Sequence, residues 1–206
     1  MNQHELLFHG GYYHIFNRGI NSCKLFRKAD NYNYFLELYD KHISPIADTY
    51  AWVLMPNHFH LMVRIKEVEE IQDLRGFKIL EGLEKPPHQY FSNLFNAYTK
   101  AINKCFNRTG SLFEHPFHRK SITNKNYFKH LVIYIHNNPV HHGFTEYAMD
   151  YPWSSYLTCI SLHPTNLQRE QVMGWFDNQA NFKLMHSQKP GYFGDDELFP
   201  PIPSRF

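Results

Sequence analysis

The segment His58-Phe59-His60-Leu61-Met62-Val63-Arg64-Ile65-Lys66 alternates between two kinds of side chain. A β-strand sends successive side chains to opposite faces. Phe59, Leu61, Val63 and Ile65 therefore share one face, and His58, His60, Met62, Arg64 and Lys66 share the other. The same geometry sets two imidazoles side by side, about 7 Å apart along the backbone, on a rigid element. Such a pair suits a bound cation.

The flanking sequence builds a sheet around this strand. Residues 11–18 (GYYHIFNR) are aromatic, β-branched and alternating, which predicts a first strand ended by Gly19. Residues 29–42 carry Tyr32, Phe35, Leu36 and Tyr39 at helical spacing, with Asp30 as a cap and Pro45 beyond the end. A second strand over 49–55 meets the histidine strand through Pro56-Asn57, a tight connection. Residues 88–107 predict a long amphipathic helix ended by Gly110, and 113–122 returns as extended chain, with Pro116 barring an interior strand position there. The order β-α-β-β-α-β predicts an α+β fold: a ferredoxin-like antiparallel sheet with an added tyrosine-bearing helix and a C-terminal extension. The expected organisation is one domain over 1–156, with 67–87 as an insertion, and 157–206 as an extension packed on it. The last fifty residues predict one helix, over 167–175.

Composition bounds the function. The 206 residues suffice for a sizeable core. The net charge is only +2, so any nucleic-acid site must be a local patch. One such patch is visible: between Glu114 and Glu146 there is no carboxylate, while Arg119, Lys120, Lys125 and Lys129 occur with six histidines. Cys23, Cys105 and Cys159 lack metal-type spacing and read as reduced thiols, and no window approaches a membrane span. A cytoplasmic protein is expected.

A chain with 15 histidines yields about one His-x-His by chance, so the spacing alone leaves a pair of partly exposed strand histidines as an alternative to a metal site. A second clue lies in the helix predicted over 126–137. Its buried stripe is Phe128, Leu131, Val132 and Ile135, and Pro139 should stop it. Tyr134 falls off that stripe, with Tyr127, His130 and Asn138 within roughly 40° of it. Tyr134 and Asn138 thus share one face, a turn apart. A tyrosine, with a pKa near 10, needs a base or nearby positive charge to become a nucleophile.

His58-Phe59-His60 resembles the His-hydrophobic-His motif of the HUH endonucleases. The run MPNHFHLMV, the later YIHNNPV and the trailing YPWSSY together are similar to the REP-associated tyrosine transposases, of the insertion-sequence-200-like single-strand transposase superfamily. The likeness runs from Gly11 to Tyr156, roughly 70% of the chain. It implies that His58 and His60 hold one Mg²⁺ or Mn²⁺ and that Tyr134 is the nucleophile. It also implies that Asn138, where relatives often carry the longer glutamine, completes the metal site, with Asn137 or a bridging water as the alternatives. The implied reaction is cleavage and rejoining of single-stranded DNA through a 5′-phosphotyrosine. The implied partner is single-stranded or hairpin DNA, bound by a monomer or a homodimer.

Arg18, Arg64, Arg119 and Lys120 are the expected phosphate contacts, Arg64 because it is expected to lie beside the histidines. The competing reading is a non-catalytic nucleic-acid-binding module on the same sheet.

Overall fold

Burial of Phe59, Leu61, Val63 and Ile65 on one face of their strand organises the chain. The computed structural model describes residues 5–73 and 85–188. Its elements are β1 (Tyr12–Arg18), α1 (Ala29–His42), β2 (Ala47–Met55), β3 (His58–Ile65), α2 (Val68–Asp73), α3 (Pro87–Cys105), β4 (His118–Ser121), α4 (Asn126–His141), α5 (Tyr156–Ile160), α6 (Arg169–Trp175) and α7 (Gln179–Ser187). The strands form one antiparallel sheet in the order β2-β3-β1-β4. β1 and β2 run parallel with β3 between them, so the fold is α+β with a ferredoxin-like split unit.

The sheet separates two cores. Beneath it, Tyr13, Ile15, Phe59 and Leu61 pack against Phe35 of α1 and against Phe91, Phe95 and Tyr98 of α3. Above it, Ala51, Val53, Met55 and Met62 pack against α4, which Val172, Phe176 and Phe182 cover from the far side. Pro87 opens α3 at a position where its missing N–H costs nothing. At the start of α1 the N-cap residue is Lys28, and the side chain that satisfies the helix start is that of Asn31, not Asp30. The Asn31 Oδ1 accepts from the backbone of Arg27 (3.1 Å) and Lys28 (3.3 Å), while Asp30 pairs with Lys28 at 3.2 Å.

Four expectations need correction. α4 continues through Pro139 to His141. An interior proline costs about 3 kcal/mol, and burial of every residue from Leu131 to Pro139 offsets it. For the same reason the face carrying Tyr134 is buried, since the helix lies between the sheet and the C-terminal helices. The extended return over 113–122 narrows to the four residues of β4. The C-terminal region holds α5 and α7 as well as α6. The insertion over 67–87 opens with the short helix α2, and its residues 74–84, like 189–206, lie outside the described residues.

The sequence YPWSSY covers the open edge of the sheet, where β2 would otherwise expose unpaired backbone. Leu54 N–H donates to Trp153 O (2.9 Å), Ser155 N–H to Trp52 O (2.9 Å), and Trp52 N–H to Ser155 Oγ (2.9 Å). The Trp153 ring stacks on Tyr32 at 4.4 Å.

Ser155 also begins a buried chain of hydrogen bonds. His186 Nδ1 lies 2.7 Å from Phe182 O, which can only accept, so this nitrogen carries the proton and Nε2 is bare. With both rings neutral, His136 Nδ1–H donates to His186 Nε2 (3.0 Å), and His136 Nε2 faces the Ser155 hydroxyl (2.8 Å), which also lies 3.3 Å from Trp52 O. Burial favours the neutral form of both rings. Burial lowers the pKa of both imidazoles, that of His186 to about 4.

A histidine with a lowered folded-state pKa binds fewer protons folded than unfolded between about 4 and 6.5. Stability should therefore fall as the pH drops through that window, by up to about 1.4 kcal/mol per unit for each such residue. Replacing His186 by Phe leaves His136 Nδ1–H without its acceptor, an expected loss of about 1–3 kcal/mol at pH 7. It should also flatten the pH dependence. Urea unfolding at pH 7 and 5 checks both.

Candidate functional site

The histidine face of the sheet is assembled by register. On β3, His58 lies opposite Arg18 of β1 and Met55 of β2, and His60 lies opposite Phe16 and Val53. His14 of β1 lies opposite Met62, one row further on the same face, and so is a diagonal neighbour of His60. All three imidazoles are buried beneath α4: His14 is 0% exposed, His58 7% and His60 5%. They are not the partly exposed strand pair that the spacing alone left open.

α4 brings Tyr134 and Asn138 onto this face. The Tyr134 ring stands edge-on to His60, with centroids 5.4 Å apart, and to His14 at 6.0 Å. Asn138 Oδ1 lies 2.9 Å from His58 Nε2. The His142 ring, just past the end of α4, packs 4.9 Å from the His58 ring. The four residues singled out by sequence (His58, His60, Tyr134 and Asn138) thus converge.

His58 is held at both nitrogens. Nδ1 lies 2.8 Å from Asn57 Oδ1, and Nε2 faces Asn138 Oδ1. Gly19 N–H donates to Asn57 O (2.8 Å), which fixes the turn carrying Asn57. A Cβ on Gly19 would come within 2.1 Å of Cys23 O, so glycine is required for that approach. Burial is the main cause that lowers the His58 pKa to about 4, with smaller effects from His142 and Arg18, while Asn138 opposes it. His60 is pushed well below the usual range, by burial first and then by His14 and His58.

A neutral imidazole carries one N–H and can donate to only one of the two amide oxygens. With the proton on Nδ1 toward Asn57, the His58 Nε2 lone pair faces the Asn138 Oδ1 lone pairs. Two lone pairs at 2.9 Å repel unless a cation lies between them or the amide turns to present Nδ2, which is buried without a well-formed hydrogen bond. Adjacent donors of an octahedral cation with bonds near 2.1 Å lie about 3.0 Å apart. The Nε2–Oδ1 pair fits that spacing. Among the described residues no three His, Cys, Asp or Glu side chains form a metal-binding group. The candidate donors on this face are two imidazoles and one amide.

Tyr134 is 7% exposed, and burial raises its pKa well above 10, with the nearby Asn138 amide opposing. In this closed arrangement the phenol is protonated.

The candidate phosphate contacts divide. Arg18 lies opposite His58 and pairs with Glu114 (3.3 Å) and Ser22. Lys120 lies opposite His14, on the histidine face. Arg119 lies opposite Ile15, on the other face, over the Phe117 ring and bonded to Glu5 O. Arg64 is not beside the histidine pair. It lies six residues beyond His58, about 20 Å along the strand, and two carboxylates engage it, Asp48 (2.6 Å) and Glu70 (2.6 Å). The sequence reasoning missed His14, His142 and Asn57. His14 shares the alternation of β1, but only the cross-strand register reveals that it meets His60.

No family model matches the sequence, and no curated protein matches it. Among solved structures, the chain is similar to a REP-associated tyrosine transposase bound to a REP hairpin. The identity is 20%, the TM-score is 0.61, and the match covers 80% of this chain and 88% of that one. At that identity the likeness is one of fold.

An NMR titration of the metal-free protein should place the His58 midpoint near pH 4. Its ring is then neutral throughout the physiological range. A midpoint near the ordinary 6.5 would show that the face is open to water.

Proposed function

We propose that this protein cleaves and rejoins single-stranded DNA beside a hairpin, with Tyr134 as the nucleophile. The observation that carries this reading is the placement of the Tyr134 phenol against His60, within one chain, on a face where His58 and Asn138 offer further donors. The transposase whose fold it shares was solved on a DNA hairpin, which supports DNA as the substrate class.

His58 and His60 would hold a divalent cation through Nε2, with Asn138 Oδ1 as third donor. When bound, Mg²⁺ or Mn²⁺ would polarise the scissile phosphate and stabilise its developing charge; the two nitrogen donors favour Mn²⁺ over Mg²⁺. Tyr134 Oη forms the bond to phosphorus as the bond to the 3′ oxygen breaks. The phenolic proton goes to solvent, and the departing oxygen takes up a proton to become a 3′-hydroxyl. The 5′ phosphate stays on Tyr134, so attack by another 3′-hydroxyl restores a phosphodiester without an external energy source. Because burial disfavours the phenolate, Tyr134 must be partly uncovered or meet positive charge before it attacks. Arg18 and Lys120 are the cations placed to follow the strand, on the histidine face, and Arg119 and Arg64 need a longer DNA path.

One observation favours a second reading, DNA binding without cleavage: the nucleophile is closed off from solvent. A hairpin oligonucleotide with a single-stranded flank, labelled on the flank and incubated with Mn²⁺, separates the two. The first reading expects a protein–DNA adduct that survives denaturation and is lost entirely in Tyr134→Phe. Retarded migration with no adduct supports the second, and cleavage without an adduct removes Tyr134 from the chemistry.

A further inference from the structure

The imidazole pair His14–His60 is not accounted for by either metal binding or nucleophilic attack. His14 Nε2 lies 3.0 Å from His60 Nδ1, with the rings stacked at 5.1 Å. His60 stands between His14 on one side and His58, edge-on at 5.3 Å, on the other. Its other ring neighbours are Phe16 at 5.7 Å, which offers no acceptor, and Tyr134, edge-on at 5.4 Å. With Nδ1 taken by His14, only Nε2 of His60 is left for the space shared with His58 and Asn138.

A hydrogen bond between two imidazoles holds one proton, and its position decides what His60 can do. If His14 donated, His60 would carry its own proton on Nε2 and could not ligate. If His60 donates from Nδ1, its Nε2 is bare. We propose that His14 is a positioning residue whose Nε2 accepts the Nδ1–H of His60, presetting both the ring orientation and the tautomer in which His60 can bind a divalent cation. This rests on the metal-site reading given above. Histidine ligands generally need such an outer partner, and its loss weakens metal binding by about 10–100-fold.

The test uses the full chain and Mn²⁺ alone, without DNA. Nitrogen-15 correlation spectra of the metal-free wild type should show His60 protonated at Nδ1 and His14 bare at Nε2. Calorimetry should show Mn²⁺ affinity falling about 10–100-fold in His14→Leu and returning close to wild type in His14→Gln, whose Oε1 can accept the same proton. A merely structural role for His14 does not predict rescue by an acceptor. A wild type that binds Mn²⁺ with His60 protonated at Nε2 overturns the role of His14 alone. So does a folded His14→Leu that binds as tightly as wild type, or a folded His14→Gln that binds no better than His14→Leu. If His14→Leu fails to fold, the tautomer of the wild type decides. A wild type that binds no Mn²⁺ overturns the metal reading, and this proposal with it.

Discussion

An imidazole removed from water must stay neutral and must still satisfy its one donor and its one acceptor. Five histidines in this protein face that demand: His14, His58, His60, His136 and His186 are all buried. The hydrogen bonds found for them run to other imidazoles, to asparagine amides, to a serine hydroxyl and to a backbone carbonyl. A carboxylate partner would favour the charged ring. Amide and carbonyl oxygens favour it too weakly and neutral rings not at all, so desolvation prevails and the pKa values of His58, His60, His136 and His186 fall. The fold thereby stores bare nitrogen lone pairs at neutral pH.

The two imidazole pairs put this to different uses. In His136–His186 the chain of donors ends on Phe182 O at one side and reaches Ser155 and the backbone of β2 at the other. Nothing is left over, and the result is a fastening. In the tautomer proposed for His14–His60 the chain ends on the bare Nε2 of His60. There the same chemistry would become a binding site, its last acceptor left without a donor. Asn138 is suited to that position because an amide presents either an oxygen or an N–H by turning about one bond. It can satisfy His58 in the absence of a cation and share a cation in its presence.

Much of the architecture was legible in the residue pattern because local periodicity and tertiary burial agree there. α1 spans 29–42 as its apolar spacing requires, and β3 begins at His58 as its alternation requires. The histidine pair was legible from the same alternation, whereas Tyr134 and Asn138 were legible as sharing one helix face that the periodicity left outside the buried stripe. What escaped depends on contacts distant in sequence. Proline signals a helix end from local sterics, and only the packing around Pro139 overrides it. Asp30 and Asn31 are both credible caps, and the choice between them lies in loop geometry. Arg64 shares a face with the histidines, but strand rise carries it to the far end, where Asp48 and Glu70 hold it. The pairing of His14 with His60 spans 46 residues and exists only once β1 and β3 are in register.

The position of Tyr134 is in turn a property of the whole helix. Tyr134 and His136 are two residues apart on α4, about 200° around the helix axis, and so face opposite sides. Tyr134 looks down onto His60, while His136 looks up into α7 and across to Ser155. β2 carries Trp52, whose backbone binds Ser155, and pairs with β3, which carries both site histidines. The helix is thus clamped between the strand pair and the C-terminal helices, and the distance from phenol to imidazole is set by both sides at once. Loosening the outer side should let Tyr134 move without altering a single residue of the histidine face.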